Sequence, residues 1–245
     1  MMRKPLLIVA LIASLVCPAW QNPIVVKHKS TGVTWTIVHT AYNAFGNTTT
    51  IYINGSSPGP MSTTTAGNAL VFFYNNNNNT CVSAANVTET GASDTFTVYA
   101  ASNGQSSCAY YCLSGAGGAT AIQVSGVNTT PATTVILVEV KRSTGTATMD
   151  GGNTNWQGTS VSSYTSGTAI TTTGASDLLL GTVMYSQPTG TVTPSGGFSI
   201  VLSDVVASNF QMVLTSQSNV GVGSYNNQGT VSPAGAITSQ ILALK

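Results

Sequence analysis

Short runs of β-branched and aromatic residues recur along the chain, and Gly, Asn, Ser or Pro interrupts each of them. Runs of this length, many with alternating polar and apolar residues, are typical of β-strands. No amphipathic helical pattern of useful length occurs after residue 20. The pattern predicts strands at 33–40, 49–54, 69–74, 95–100, 133–140, 178–185, 198–202, 210–215 and 237–244. Many short strands separated by turns indicate an all-β sandwich or barrel.

The surface of such a fold must be built largely from uncharged side chains. Only 5% of the 245 residues are charged, whereas 42% are hydrophobic. Thr, Ser, Asn and Gly therefore cover the exterior, which is unlike the surface of a cytosolic enzyme. The length suits one large β domain, which we predict over residues 24–245.

The first twenty residues have the pattern of a secretory signal. Two basic residues precede an apolar run at 6–16, and small residues follow it. We predict a signal peptide over 1–19, cleaved after Ala19, and a chain that is secreted or held at the cell surface. Lipid attachment at Cys17 is an alternative, although Val16 stands where such sites usually carry a small residue. No later apolar run is long enough to predict a transmembrane helix.

Charge argues against nucleic acid as a partner. Without the signal peptide the chain carries five basic and six acidic residues, a net charge of −1. No cluster of basic residues is available to neutralise phosphates. We therefore expect no nucleic-acid binding.

Several segments together carry a resemblance to a known family. In order they are STTTAGNALVFFY (62–74), VTETGASDTFTVYA (87–100), YYCLSGAGGATAIQV (110–124), ATMDGGN (147–153), TTTGASDLLLGTV (171–183) and ILALK (241–245). This series resembles a group of secreted bacterial β-sandwich domains of the concanavalin A-like, jelly-roll kind. The resemblance implies a two-sheet antiparallel sandwich. Because lectins, carbohydrate-binding modules and glucanases share that architecture, it also suggests a sugar ligand.

Three cysteines follow the signal peptide. The resemblance places CAYYCLS (108–114) on a strand, and the β-propensity of its tyrosine pair independently favours the same placement. On a strand, Cys108 and Cys112 share a face about 13 Å apart, whereas a disulfide needs Cα atoms within about 7 Å. In an exported chain we therefore predict a Cys81–Cys108 disulfide with Cys112 as a buried thiol. A Cys81–Cys112 bridge is the alternative.

Motifs for catalysis or metal binding are weak. A glycosidase of this architecture carries clustered carboxylates, whereas Glu89 and Asp94 would face opposite sides of one continuous strand. Neither His28 nor His39 stands in a nucleophile or zinc motif. We predict a non-catalytic protein without a metal, and a glycoside hydrolase is a less favoured alternative.

The segment DGGNTNW (150–156), interpreted as a loop, is the candidate ligand site. Trp156 offers a flat apolar face for a sugar ring, and Asp150, Asn153 and Asn155 offer polar groups for its hydroxyls. The sequence therefore predicts glycan binding by these four residues. Ca²⁺ is an alternative ligand of the same oxygens, but one carboxylate is few for a hard dication. No other cofactor is predicted.

Other aromatic residues are assigned by their place in strands. Tyr110 and Tyr111 alternate, so only one of them can face outward and extend a sugar platform. Trp35 lies within an alternating run and is expected in the core. Two classes of function follow: a carbohydrate-binding protein, or a structural or adhesive surface protein with no small ligand. They differ in whether exposed aromatic residues line a groove.

Overall fold

Strands make up most of the part of the chain that the computed structural model describes, which is residues 32–45, 50–54, 61–76, 81, 83–99, 106–126, 133–207 and 210–245. In chain order they are β1 (Trp35–Phe45), β2 (Thr50–Asn54), β3 (Ala69–Asn76), β4 (Val87–Thr90), β5 (Thr97–Tyr99), β6 (Ser106–Cys112), β7 (Ala121–Ser125), β8 (Thr133–Arg142), β9 (Met149–Thr165), β10 (Ile170–Thr172), β11 (Asp177–Tyr185), β12 (Thr191–Ser195), β13 (Ser199–Ala207), β14 (Phe210–Val220), β15 (Gly223–Tyr225) and β16 (Gln228–Leu244). The predicted signal peptide (1–19), Cys17 and His28 lie outside the described residues.

The predicted all-β, antiparallel architecture is confirmed. Each of the nine predicted strands overlaps an observed one, and the strands pair antiparallel with their neighbours. The only helical segment among the described residues is the 3₁₀ turn Ala84–Asn86. In the same part of the chain, no helix is long and apolar enough to cross a membrane.

The strands form three sheets of three or more strands and one two-stranded ribbon. The central sheet has the order β1-β8-β3-β6-β5, and the small sheet has the order β2-β7-β4. The large sheet has the order β12-β16-β11-β14-β13, with β9 also paired to β16. The ribbon joins β10 to β15.

The central sheet is buried on both faces. Along β3, Leu70 and Phe72 belong to a core shared with the small sheet, whereas Val71 and Phe73 belong to a core shared with the large sheet. Alternate residues of a strand point to opposite faces, so an unbroken apolar run suits a strand covered twice. Where the sequence predicted two sheets, the described chain therefore has three packed layers, and it groups into one compact unit over Gly32–Lys245.

The disulfide joins Cys81 to Cys108, as predicted, with Cα atoms 5.6 Å apart. Cys108 and Cys112 both lie on β6 and face the core shared with the small sheet. Cys112 is a buried free thiol. Burial raises its pKa, so the thiol stays protonated and behaves as a small apolar side chain. The alternative Cys81–Cys112 pairing is not formed.

The predicted site loop is instead part of β9, and this prediction was wrong. β9 pairs with β16 from Leu244↔Met149 to Gln228↔Thr165, with shifts of register along the way. At Gly152 an added Cβ would lie 2.6 Å from Leu242 Cδ2 and 2.8 Å from the Tyr99 ring. The glycine that suggested a turn therefore serves close packing within a strand.

Candidate functional site

Trp156 lies in a row of side chains that crosses three strands of the large sheet. It is directly opposite Thr238 of β16, and Thr238 is opposite Met184 of β11. Residues directly opposite each other in antiparallel strands share a face, so these three side chains are neighbours on one surface. Thr238 and Met184 are buried, whereas Trp156 is 40% exposed.

This row forms part of a groove with a volume of about 380 Å³. That volume lies near the lower end of the range of about 300–1,000 Å³ for small-molecule sites. Further lining comes from apolar and uncharged polar side chains, chiefly Ser160, Ser186, Gln187, Phe210, Ala236 and Ile237. The groove therefore combines one exposed indole with several hydroxyl and amide groups, and its described lining carries no ionisable side chain.

Local backbone geometry shapes one wall of the groove. Ser186 N donates to Ala236 O at 3.0 Å, and Ala236 N donates to Ser186 Oγ at 2.8 Å. Beside them, a Cβ on Gly235 would lie 2.7 Å from the Tyr185 ring and 2.9 Å from Ser186 Oγ. Ser160 lines the groove with a φ of 74°, a left-handed conformation that few non-glycine residues adopt. The wall is tightly built, and a larger residue than glycine would not fit at position 235.

Thr238 supplies a polar group without a partner. Its Oγ1 is buried and has no hydrogen-bond partner among the described residues. A buried hydroxyl without a partner is costly, and such groups in native proteins call for an explanation such as a bound water or ligand. Thr238 lines the groove between Trp156 and Met184, with its side chain fully buried.

Of the four predicted site residues, the structure places only Trp156 in the groove. Asn155 is opposite Ser239 on the other face of the sheet, and its Nδ2 donates to Thr165 O at 3.2 Å. Asn153 shares that face, and its Nδ2 donates to Thr168 O at 2.6 Å. Because successive residues of a strand alternate in direction, asparagines that flank Trp156 cannot share its surface.

Asp150, the fourth predicted residue, belongs to a separate polar cluster. Lys245 Nζ lies 2.7 Å from its Oδ1, and Thr173 donates to it through both its backbone N–H and its hydroxyl. Burial opposes ionisation of Asp150, but the hydrogen bonds from Lys245 and Thr173 outweigh it and hold its pKa well below the usual range. The proposed calcium ligands are thus engaged elsewhere: Asp150 bonds Lys245, and Asn153 Oδ1 accepts from Thr154 N at 2.8 Å.

Asp177 completes this cluster and was not predicted as part of it. Its side chain is fully buried, and burial together with the hydrogen bond to Asp150 raises its pKa to about 6. Gly174 N donates to its Oδ2 at 3.3 Å. The two carboxyls therefore hold one proton between them over a wide pH range, and the cluster ties together the ends of β9, β11 and β16.

Two further acids meet although the sequence suggested otherwise. β4 ends at Thr90, and the chain turns at Gly91, whose φ is 88°. Asp94 N then donates to Glu89 Oε2 at 3.0 Å. Burial raises the pKa of Glu89, and one oxygen of each carboxyl is buried while the other accepts a backbone hydrogen bond.

A His–Glu pair was also missed in the sequence. His39 Nδ1 and Glu139 Oε2 are 2.7 Å apart, and Asn68 Nδ2 donates to Glu139 Oε1 at 2.6 Å. Glu139 is opposite His39 in the β1–β8 register. The two residues lie far apart in the chain, so no local sequence motif predicts that contact. Burial opposes its ionisation, but the hydrogen bonds from His39, Asn68 and Thr65 lower the pKa of Glu139. The hydrogen bonds of Thr65 and Asn68 to Glu139 hold the segment before β3 against β8.

The tyrosines of β6 do not reach the groove. Tyr110 is fully buried in the core shared with the small sheet, with its ring centroid 6.0 Å from that of Phe72. Tyr111 is half-buried against the other core. Trp35 is buried in that second core, as expected, and its Nε1 donates to Ser176 O at 2.8 Å.

These features define a class: an antiparallel β-sandwich with an exposed tryptophan over an uncharged groove. Comparisons with protein-family models, with curated proteins and with solved structures find no match to this chain. The concanavalin A-like relationship therefore stays a prediction from the sequence motifs.

Proposed function

We propose that this protein binds glycans without catalysis, in the groove beside Trp156. The observation that carries the proposal is an indole left 40% exposed over a concave surface of about 380 Å³. Large aromatic side chains are usually buried, and an exposed indole beside a concave surface supports a binding role for that surface. The flat face of Trp156 suits the C–H face of a pyranose ring.

Polar groups around the indole support a sugar in particular. Gln187 and Ser160 line the groove, and Thr238 adds a hydroxyl without a partner. Sugar hydroxyls both donate and accept hydrogen bonds, as do these hydroxyl and amide groups. An apolar surface with a few convergent polar groups is the usual composition of a small-molecule site.

Binding rather than hydrolysis follows from the same lining. Glycoside hydrolysis needs two carboxyls that flank the scissile bond, and the described residues of the groove include none. In the carboxyl pairs that the structure does form, Glu89 with Asp94 and Asp150 with Asp177, the oxygens are buried or accept hydrogen bonds within the fold.

Export and the jelly-roll relationship belong to the same proposal. The signal-like residues 1–19 support export, and a disulfide between Cys81 and Cys108 suits an oxidising compartment. The turn-and-strand motifs support the concanavalin A-like assignment. We propose a protein that works outside the cytoplasm, in solution or at the cell surface.

The test is a glycan array together with polysaccharide pull-down. Wild type and Trp156→Ala are compared, with Val222→Ala as a control because Val222 is an exposed apolar residue (70%) outside the groove lining. Loss of stacking should weaken binding by Trp156→Ala about tenfold, whereas Val222→Ala binds as wild type does. Binding unaffected by Trp156→Ala would refute this site. Absence of binding by wild type to every glycan would favour a structural or adhesive surface protein.

A further inference from the structure

The ion pair of Asp150 and Lys245 lies far from the groove. Trp156 and Thr238 mark the groove on β9 and β16, whereas Asp150 and Lys245 stand at the other end of the same two strands. Lys245 is about 23 Å beyond Thr238 at the usual rise per residue of a strand. That separation exceeds the Debye length of about 8 Å at physiological ionic strength, so solvent ions screen the pair from the groove.

The end of the central sheet that carries Arg142 also lies far from the groove. Asn75 of β3 is opposite Thr134 of β8. The Nδ2 atom of Asn75 contacts the Sδ atom of Met212. Met212 in turn is opposite the groove residue Met184. The start of β8 is therefore the end near the groove. Arg142 lies about 26 Å further along β8, where its guanidinium stacks over Trp35 at 5.9 Å.

We infer that the groove selects uncharged saccharides and discriminates against glycans that carry carboxylate or sulfate groups. This inference rests on the proposed glycan-binding function and names the ligand class for the same site. None of the described residues that line the groove can supply a cation. Moving an anionic group from water into such a site costs free energy that no ion pair offsets.

The floor of the groove suits a neutral hydroxyl. Thr238 Oγ1 carries one donor and two acceptor lone pairs, and none of them is engaged with a described residue. A sugar hydroxyl that displaces the side chains covering this atom can both donate to it and accept from it, whereas a sulfate or carboxylate oxygen can only accept. Met184 and Trp156 flank Thr238 in the row and give the groove apolar surface on either side of it. A single pyranose can place its C–H face on the indole of Trp156 and direct a hydroxyl towards Thr238.

The experiment compares matched neutral and acidic ligands. Soluble neutral glucans, mannans and galactans are tested by calorimetry, each beside the same polymer oxidised at C6 to the uronate. We expect binding of at least one neutral polymer, with affinity changed less than about twofold by salt, and about tenfold weaker binding of its oxidised form. Equal or tighter binding of the oxidised form that Trp156→Ala abolishes would overturn the inference and leave glycan binding intact. No binding to any polymer would overturn the proposed function as well.

A second variant tests the Thr238 hydroxyl. Thr238→Val keeps the shape of the side chain and removes the hydrogen-bonding group. We expect about threefold to tenfold weaker binding of the neutral polymer with no loss of thermal stability, since the hydroxyl has no partner in the fold. Unchanged affinity would show that this hydroxyl does not contact the sugar and would remove it from the inferred site.

Discussion

At the scale of single residues, neighbouring positions on β9 differ in role because successive side chains of a strand point to opposite faces. Trp156 is exposed over the groove, whereas Asn155 bonds the backbone of Thr165 on the other face. Hydrogen bonding separates the two members of the Asp150–Asp177 pair, although burial acts to raise the pKa of both. Asp150 bonds Lys245 directly and stays ionised, whereas Asp177 bonds Asp150 and a backbone N–H and interacts with Lys245 only at longer range.

The Asp177 carboxyl makes stability depend on pH in a definite direction. Its pKa is raised from 3.8 to about 6 in the folded protein, so the fold binds its proton more tightly than the unfolded chain does. Its contribution to stability is full below about pH 3.8 and is lost as pH rises through about 6. Asp177→Asn keeps a neutral side chain at every pH. We expect the free energy of unfolding of the variant to fall less than that of wild type between pH 4 and pH 7, by on the order of 2 kcal/mol.

Denaturant unfolding at a series of pH values measures this difference. Glu89 also has a raised pKa and contributes a slope of the same sign, so the quantity of interest is the difference between variant and wild type. The Asp150 pKa is lowered, and its contribution is lost only under strongly acidic conditions. Parallel pH profiles for the two proteins would contradict the assignment of the buried proton to Asp177.

At the scale of elements, two consecutive glycines of β9 have different surroundings. A Cβ at Gly152 would collide with Leu242, Tyr99 and the Ile241 carbonyl at 2.6–2.9 Å. At Gly151 a Cβ would meet nothing within 4 Å. Tyr99 also donates a hydrogen bond to the Gly152 carbonyl, which links the central sheet to β9. One glycine is thus required by packing, and its neighbour is not.

Substitution of these two glycines tests that account. Gly152→Ala should lower the free energy of unfolding by about 1–3 kcal/mol because the packed neighbours must move. Gly151→Ala is the matched control, with an expected change within about 0.5 kcal/mol. Chemical denaturation of both variants provides the measurement. Equal effects of the two substitutions would show that close packing at Gly152 is not what shapes β9.

At the scale of the whole molecule, the central sheet couples two cores. Phe72 lies in the core shared with the small sheet, and Phe73 lies in the core shared with the large sheet. Both side chains are fully buried on adjacent positions of β3. A strand that contributes to both cores cannot unfold from one and remain in the other.

Truncation of either phenylalanine should therefore destabilise the whole described unit. We expect Phe72→Ala and Phe73→Ala each to lower the free energy of unfolding by about 3–5 kcal/mol. Both should leave a single cooperative transition. Calorimetry and fluorescence of the two variants check this. A separate early transition in one variant alone would show that the two cores unfold independently.

The strands, and the exclusion of a Cys108–Cys112 disulfide, could be predicted from the sequence because both depend on local geometry. Period-2 alternation between turn residues located nine strands, such as 69–74 and 210–215. The spacing of Cys108 and Cys112 on one strand face left Cys81 as the partner, and the Cys81–Cys108 bridge is formed. These inferences needed only the rise per residue and the direction of side chains along one strand.

The layers and the groove depended on contacts between segments far apart in the chain. Whether the apolar run of β3 is covered once or twice is decided by what packs on each face, and here two sheets do. Trp156 was found from its residue type alone, but its neighbours Thr238 and Met184 come from the register of β9, β16 and β11. Register is set by long-range hydrogen bonding and side-chain packing across strands, which a local pattern does not encode. Local sequence patterns thus predicted where strands form and that Cys81 pairs with β6, and the tertiary structure decided which cysteine of β6 it joins and which side chains share a surface.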